Sequence, residues 1–316
     1  MPAIKELCGI NEVGRLSVPA ATVPGVGTSR RPSPVEQDAR GIVDPARLQQ
    51  LVQLNRYPAG EVLDGLVDRF WAVRWGLPPG SEHDQSVLNH PGANLYVGVP
   101  EPGSQAPLEG AVDGPHRHLS TRRLAGDGWT VAAMTAPGGL GAFVRVPVRT
   151  LTDRTVALGP PLFGLDGAAL VAAVDAAGAE EARVATLRAA LEQLVHTADA
   201  ARVAAAREVA AVARVAETDR SVRRVEDLSA LAGVTERTLQ RMFAEHAGVT
   251  PAWVVRRYRL LEAAEQARLR GVEVNWASLA ADLGYSDQAH LVRDFRMHLG
   301  TTPAAYAARQ PSPGGS

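Results

Sequence analysis

The sequence predicts an α+β fold: a mainly-β N-terminal domain followed by an all-α module built from two helix-turn-helix units. Three observations predict it. Between Leu48 and about Arg154, short apolar runs are broken by turn chemistry at Asp64-Gly65, Pro78-Pro79-Gly80, Pro91-Gly92 and Pro137-Gly138-Gly139, a spacing that favours short strands in a sandwich or small barrel. After Pro161, Ala, Leu, Val, Arg and Glu dominate, and Gly and Pro are scarce from Ala179 to Thr218, which favours helices. From Asp219 to Arg309 short helical patterns alternate with brief turns, and one pattern occurs twice, with its turn glycine first at 233 and then at 284.

Length and composition bound the rest. At 316 residues the chain exceeds one average domain of ~100–200 residues. Hydrophobic residues at 46% and charged residues at 21% exclude wholesale disorder. Lys+Arg at 33 against Asp+Glu at 34 leaves a net charge of -1, which excludes a non-specific polyanion binder. Cys8 is the one cysteine; it excludes a disulfide scaffold and a multi-cysteine zinc site and fits a reducing compartment. Met1 to Leu7 contains no apolar signal-peptide core, and no window approaches ~18 unbroken apolar residues. The expected location is cytoplasmic, with no membrane partner.

Taken in order, residues 1–45 read as a flexible tail, since Gly9 to about Pro45 is rich in Pro, Gly, Ser and Thr without a period. Residues 46–165 form the β-rich domain, with strands expected at Phe70–Trp75, Asn94–Val99, Thr130–Thr135 and Ala142–Val146. Its aromatics Phe70, Trp75, Tyr96 and Trp129 are expected to line an apolar pocket suited to a small organic effector; the competing reading is that they fill the core. His83, His90, His116 and His118 cluster in sequence, and His116-Arg117-His118 has a metal-ligand spacing, but Arg122 stands where a completing carboxylate would be needed. No metal and no cofactor are expected, and His90 is read as a turn residue whose ring bonds the backbone.

Residues 166–217 are read as a helical linker or dimerisation region. Leu187, Leu191, Leu194 and Val195 follow i, i+4, i+7, i+8, one apolar stripe that favours intramolecular core over a dimer seam. Residues 218–310 form the helical module, closing its own core with Leu228, Leu239, Phe243, Leu279, Leu291 and Phe295, and 311–316 a disordered tail.

The module is the informative part. A helix with Leu228 and Leu231 on its inner side runs into Gly233, which permits a sharp turn, and Thr235 then caps a second helix. On that helix Leu239 and Phe243 share one face while Arg237, Gln240 and Arg241 share the opposite one. The plan recurs with Leu279, Leu283, Gly284, Ser286 as cap, Leu291 and Phe295. Trp253, Tyr258, Trp276, Tyr285 and Tyr306 are read as helix-packing core, since duplex readers seldom stack on bases.

From about Ser221 to Arg309 the chain resembles the DNA-binding module of the AraC/XylS family of bacterial transcription regulators. The resemblance is carried by Arg237-Thr238-Leu239-Gln240-Arg241-Met242-Phe243, by Gly248-Val249-Thr250-Pro251, by Leu283 to Leu291 with Phe295, and by Gly300-Thr301-Thr302-Pro303. It implies seven helices, with the two units joined by a long helix from Pro251 to about Leu269 and each recognition helix entering one of two successive major grooves. It places the DNA-contacting set at Thr235, Arg237, Thr238, Gln240 and Arg241 in the first unit and at Ser286, Gln288, Ala289, His290, Val292 and Arg293 in the second. Ala289 and Val292 cannot hydrogen-bond a base, so the second unit is expected to read fewer bases. His290 has two readings, a phosphate or base contact and a half-buried cap. More loosely, Leu88-Asn89-His90-Pro91 with Asn94-Leu95, and Leu151-Thr152-Asp153-Arg154, resemble the sensory domain of actinobacterial members, which implies a cupin-like β-fold.

The resemblance implies double-stranded DNA as the partner and leaves room for a small organic effector, RNA polymerase and a second copy of the chain. Glu217 to Gln310 carries thirteen arginines against twelve acids, a net +1. Modest non-specific affinity is therefore expected. Arg256, Arg257 and Arg259 are either backbone contacts or a solvated face. An enzyme is not expected, because Cys8 supplies neither a zinc cluster nor a folded nucleophile and no G-x-S-x-G, P-loop or H-E-x-x-H occurs. The alternative from another class is a sensor-type binding protein acting mainly through protein contacts.

Overall fold

The computed structural model describes residues 40–99 and 107–310. Most of the expected N-terminal tail, with Cys8, and the C-terminal 311–316 lie outside the described residues. Arg40 to Asp44, assigned to the tail, instead run beside a strand: Leu88 N donates to Gly41 O at 2.7 Å and Val43 N to Ser86 O at 3.2 Å. Asp44 then caps α1 (Pro45–Leu51) by accepting from Arg47 N.

Among the described residues eight strands follow: β1 (Val52–Pro58), β2 (Val67–Gly76), β3 (Glu82–Leu88), β4 (Asn94–Gly98), β5 (Glu109–Asp113), β6 (Leu119–Ala125), β7 (Asp127–Thr135) and β8 (Thr155–Ala157). Six make an antiparallel sheet in the order β1-β2-β7-β4-β5-β8, and β3 pairs with β6 in a separate ribbon. The period of two along each strand divides the sheet. Phe70 and Ala72 of β2, Leu95 and Val97 of β4, and Val131 and Ala133 of β7 lie in one core cluster with Val184, Leu187 and Leu191. Trp75 joins Leu124 of the ribbon, and Trp71 joins Tyr96 and Ala132, on the other side.

Two expected strands, Phe70–Trp75 and Thr130–Thr135, fall within β2 and β7, and a third, Asn94–Val99, runs one residue past β4. The fourth, Ala142–Val146, is not a strand: Gly139–Ala142 is a 3₁₀ turn, with Phe143 and Val144 buried behind it. A short buried apolar run has no period to distinguish strand from turn, and here backbone packs on backbone, since a Cβ on Gly139 would stand 1.9 Å from Leu66 O. The ribbon strands β3 and β6 escaped the sequence reading because Glu82, Asp84, Gln85, Arg122 and Arg123 dilute their apolar signal.

After α2 (Pro160–Phe163) and α3 (Gly167–Ala176), α4 (Glu180–Thr197) lays Val184, Leu187 and Leu191 on the sheet, with Leu194 and Val195 packed beside them. The stripe is intramolecular core. The next helix, α5 (Ala200–Thr218), belongs to both halves: Val203 and Ala206 enter the sheet core, while Val209, Val212, Ala213 and Ala216 enter the core of the helical module.

That module comprises α6 (Val225–Ala232), α7 (Glu236–His246), α8 (Pro251–Arg270), α9 (Trp276–Asp282), α10 (Gln288–Leu299) and α11 (Pro303–Ala307). Its core contains Leu228, Leu239, Phe243, Leu291 and Phe295, and the aromatics Tyr258, Tyr285 and Tyr306. The expectation that it closes its own core fails in one respect. Leu88 of β3 and the C-terminal half of α5 are part of the same cluster.

Candidate nucleic-acid interface

In the first unit α6 ends at Gly233, whose φ of +65° is costly for any residue with a Cβ. Thr235 then caps α7: its Oγ1 accepts from Thr238 N at 3.2 Å and lies 3.0 Å from Thr238 Oγ1. Thr238 is thus half-buried against the cap. Leu239 and Phe243 are fully buried, and Arg237, Gln240 and Arg241 stand exposed on the far side of the helix.

The second unit turns at Gly284, with φ +72°, but its cap is Asp287 rather than Ser286. Asp287 Oδ1 accepts from His290 N at 2.7 Å, and this bond holds the Asp287 carboxyl below the usual carboxylate range. Ser286 Oγ instead bonds Asp287 Oδ2 and His290 Nδ1, each at 3.2 Å. Both residue types are strong caps, so sequence alone left a one-residue ambiguity.

The corrected cap aligns the two helices. Leu239 and Phe243 stand fourth and eighth after Thr235, as Leu291 and Phe295 do after Asp287. On that register the second, fifth and sixth positions hold Arg237, Gln240 and Arg241 in α7, and Ala289, Val292 and Arg293 in α10. Gln288, Ala289 and Arg293 are exposed and Val292 is half-buried. Of the three positions that carry hydrogen-bonding groups in α7, only the last carries one in α10. His290 is exposed, with its ring edge-on to Tyr285 at 5.2 Å.

The expected basic cluster on α8 does not hold together. Arg256 is exposed, Arg259 is half-buried and donates to the Arg223 carbonyl, and Arg257 is 2% exposed. Arg257 therefore neither faces DNA nor belongs to a solvated face. Arg220 and Arg268 pair with Glu262 and Glu265 at 2.8 and 2.5 Å. The exposed cations left on the recognition helices are Arg237, Arg241, Arg293 and Arg296.

The N-terminal domain does not form the expected aromatic pocket. Phe70 and Trp75 are an odd number of positions apart and point to opposite sides of the sheet, and Tyr96 sits in a third cluster. A cleft of about 540 Å³ opens instead where the N-terminus of α4 meets β1, β2 and β7. Its lining is polar: Gln53, Asn55, Arg74, Glu181 and Arg183 beside Trp129. Arg183 stacks 3.8 Å over the Trp129 ring, and its buried Nε has no hydrogen-bond partner. Asn55 and Tyr57 both donate to Glu180, at 2.8 and 2.6 Å.

Of the histidines, His116 lies 3.9 Å from Asp113, whose bond raises its pKa, and the His90 ring meets Arg40 O at 3.3 Å. Among the described residues no group of three or more His, Cys, Asp or Glu could hold a metal ion, and no helix is long and apolar enough to cross a membrane.

Two capped helices, each buried along one side and open along the other and held by repeated helix-turn-helix units on one connecting helix, define a double helix-turn-helix protein. Residues 228–309 match the model of the helix-turn-helix domain family, and residues 55–157 match a domain of unknown function, DUF6597. The chain is 32% identical over 83 residues to a probable transcription factor, PqrA, of Proteus vulgaris; the match covers 26% of this chain and 66% of that protein. Among solved structures, the DNA-binding domain of AdpA in complex with a target DNA is 30% identical, covering 32% of this chain and 90% of its own, with a TM-score of 0.29. A probable AraC family transcriptional regulator from Rhodopseudomonas palustris is 25% identical, covering 33% and 98%, with a TM-score of 0.30. The C-terminal module is an AraC-type helix-turn-helix domain.

Proposed function

We propose that the protein is a sequence-specific DNA-binding transcription regulator that sets α7 and α10 into two successive major grooves. The observation that carries this reading is the repeated presentation of one helix face by two capped helices, Arg237, Gln240 and Arg241 on α7 and Ala289, the half-buried Val292 and Arg293 on α10. A guanidinium can grip guanine O6 and N7 together and a Gln amide can do the same to adenine, while Ala and Val offer at most contact with a thymine methyl. The first helix therefore carries most of the base reading, and the second contributes Arg293. With a net charge of only +1 over Glu217 to Gln310, salt-dependent backbone attraction is modest and specific contacts matter more.

The N-terminal domain is read as the sensor. The cleft beside Trp129 supports a small effector with polar groups, because its lining brings together the Arg74 and Arg183 guanidinium groups, the Gln53 and Asn55 amides and the Glu180 and Glu181 carboxylates. Selection of bound fragments from genomic DNA by the purified chain tests the proposal. A shared sequence motif among the selected fragments supports it, and recovery of random fragments contradicts it.

A further inference from the structure

Two segments of the N-terminal domain, Leu88-Asn89-His90-Pro91 and Leu151-Thr152-Asp153-Arg154, have no part in the reading face or in the effector cleft. In the fold both meet the helical module. Thr152 Oγ1 donates to Gly248 O at 2.6 Å, in the turn between α7 and α8. Asn89 O accepts from the buried Arg257 of α8 at 3.4 Å. We infer that the two segments form a releasable docking clamp through which the N-terminal domain fixes the placement of the helix-turn-helix module. This rests on the proposed function only in naming α7 and α10 as the reading helices.

The first grip holds the C-terminal end of α7. Gly248 has φ +74°, and a Cβ there would stand 2.9 Å from Val148 Cγ1 and from Val148 O; a Cβ on Gly141 would stand 2.4 Å from His246 Nδ1. The two domains thus meet with no space for a methyl group at either point. Arg202 of α5 staples the same place, donating to Gly141 O at 2.7 Å and Val146 O at 3.1 Å and reaching Glu245 at 3.3 Å.

The second grip is Arg257. Its guanidinium donates to Arg117 O at 2.5 Å as well as to Asn89 O, and lies 4.6 Å from the centre of the Trp253 ring. Both carbonyls are aimed by their neighbours. Asn89 Nδ2 donates to His118 O and Ser120 Oγ at 3.1 and 2.6 Å. Asp153, held at φ +56°, accepts from Arg117 N at 2.8 Å and from Arg117 Nε at 2.7 Å. The Leu-Thr-Asp-Arg segment therefore touches the module through Thr152 and positions the second grip through Asp153.

The chemistry makes the clamp reversible. A buried guanidinium is costly unless it is hydrogen-bonded, and Arg257 is bonded to carbonyl dipoles. Burial lowers its pKa to about 10. On undocking, the cation regains its hydration, so a large part of the cost of breaking the bonds is returned. The second unit is coupled to the same point: Asp294 of α10, whose charge acts on Arg257, accepts from Tyr285 Oη at 2.9 Å and lies 3.5 Å from His298 Nε2.

The test is hydrogen–deuterium exchange of the full chain without DNA, so it is decided even if the chain binds no DNA. Asp153→Ala should speed exchange about tenfold or more in Gly248 to Arg257, across the interface from the substitution. Arg257→Ala should do the same in Asn89 and in Arg117 to Ser120. If each substitution changes exchange only within its own domain, the clamp is wrong. Should Arg257→Ala lose its native circular dichroism, the near-isosteric Thr152→Val decides: faster exchange around Gly248 supports the clamp, and unchanged exchange there overturns it.

Discussion

Arg241 and Arg257 show how little residue type alone says about role. Arg241 stands on the exposed face of α7, opposite Leu239, while Arg257 is buried against two carbonyls of the N-terminal domain. On the proposed reading, Arg241→Ala costs about 1–3 kcal/mol on a selected site and relaxes selectivity at one base pair. Arg256→Ala, on the exposed side of α8, should at most weaken selected and scrambled duplexes alike and flatten the salt dependence. Fluorescence titrations of both variants on both duplexes at two salt concentrations check this; equal weakening by Arg241→Ala would make Arg241 a backbone contact. Helical periodicity made the Arg237, Gln240, Arg241 face legible, because Leu239 and Phe243 define the opposite side. Burial of Arg257 was not legible, since its partners are backbone carbonyls remote in sequence.

A second residue, Asp68, ties pH to stability. Burial, and next the nearby Glu217 carboxylate, push its carboxyl up to about 6, against the opposing pull of Arg69, Arg214 and Arg40. A carboxyl raised above its unfolded value binds more protons folded than unfolded, so its contribution is present at about pH 4 and is lost as pH rises through about 6. Asp68→Asn should therefore gain on the parent protein between pH 4 and pH 7, reaching on the order of 1 kcal/mol at neutral pH. Urea titrations across that range measure it, and a difference that is flat with pH would contradict the assignment.

Among the helices, α5 has a larger structural part than its sequence predicts. Its alanine-rich pattern fits a linker, yet Val209, Val212, Ala213 and Ala216 complete the core that Leu239 and Phe243 occupy. A fragment of residues 199–310 should unfold in one cooperative transition, and one of 218–310 should lose several kcal/mol, since each buried valine contributes about 1.5–3 kcal/mol. Thermal melts followed by circular dichroism compare them, and equal midpoints would show that α5 is dispensable. Strands with alternating apolar residues, such as β2 and β7, were legible. The polar ribbon β3–β6 and the buried turn at Gly139–Ala142 were not, because their conformations depend on what they pack against.

The whole molecule joins a sheet-based domain and a double helix-turn-helix module along one shared helix, α5, and across the contacts at Gly248 and Arg257. The repeat of Gly233 and Gly284 made the module legible from sequence. Its attachment was not legible, because those contacts pair residues far apart in the chain. On the proposed reading, two helices of unequal reading power address adjacent grooves. Hydroxyl-radical footprinting of the full chain on a selected genomic fragment tests it directly. Two protected segments about one helical turn, roughly 34 Å, apart are expected, with Arg241→Ala losing contacts in one and Arg293→Ala in the other. A single protected segment that Arg293→Ala leaves intact would contradict it.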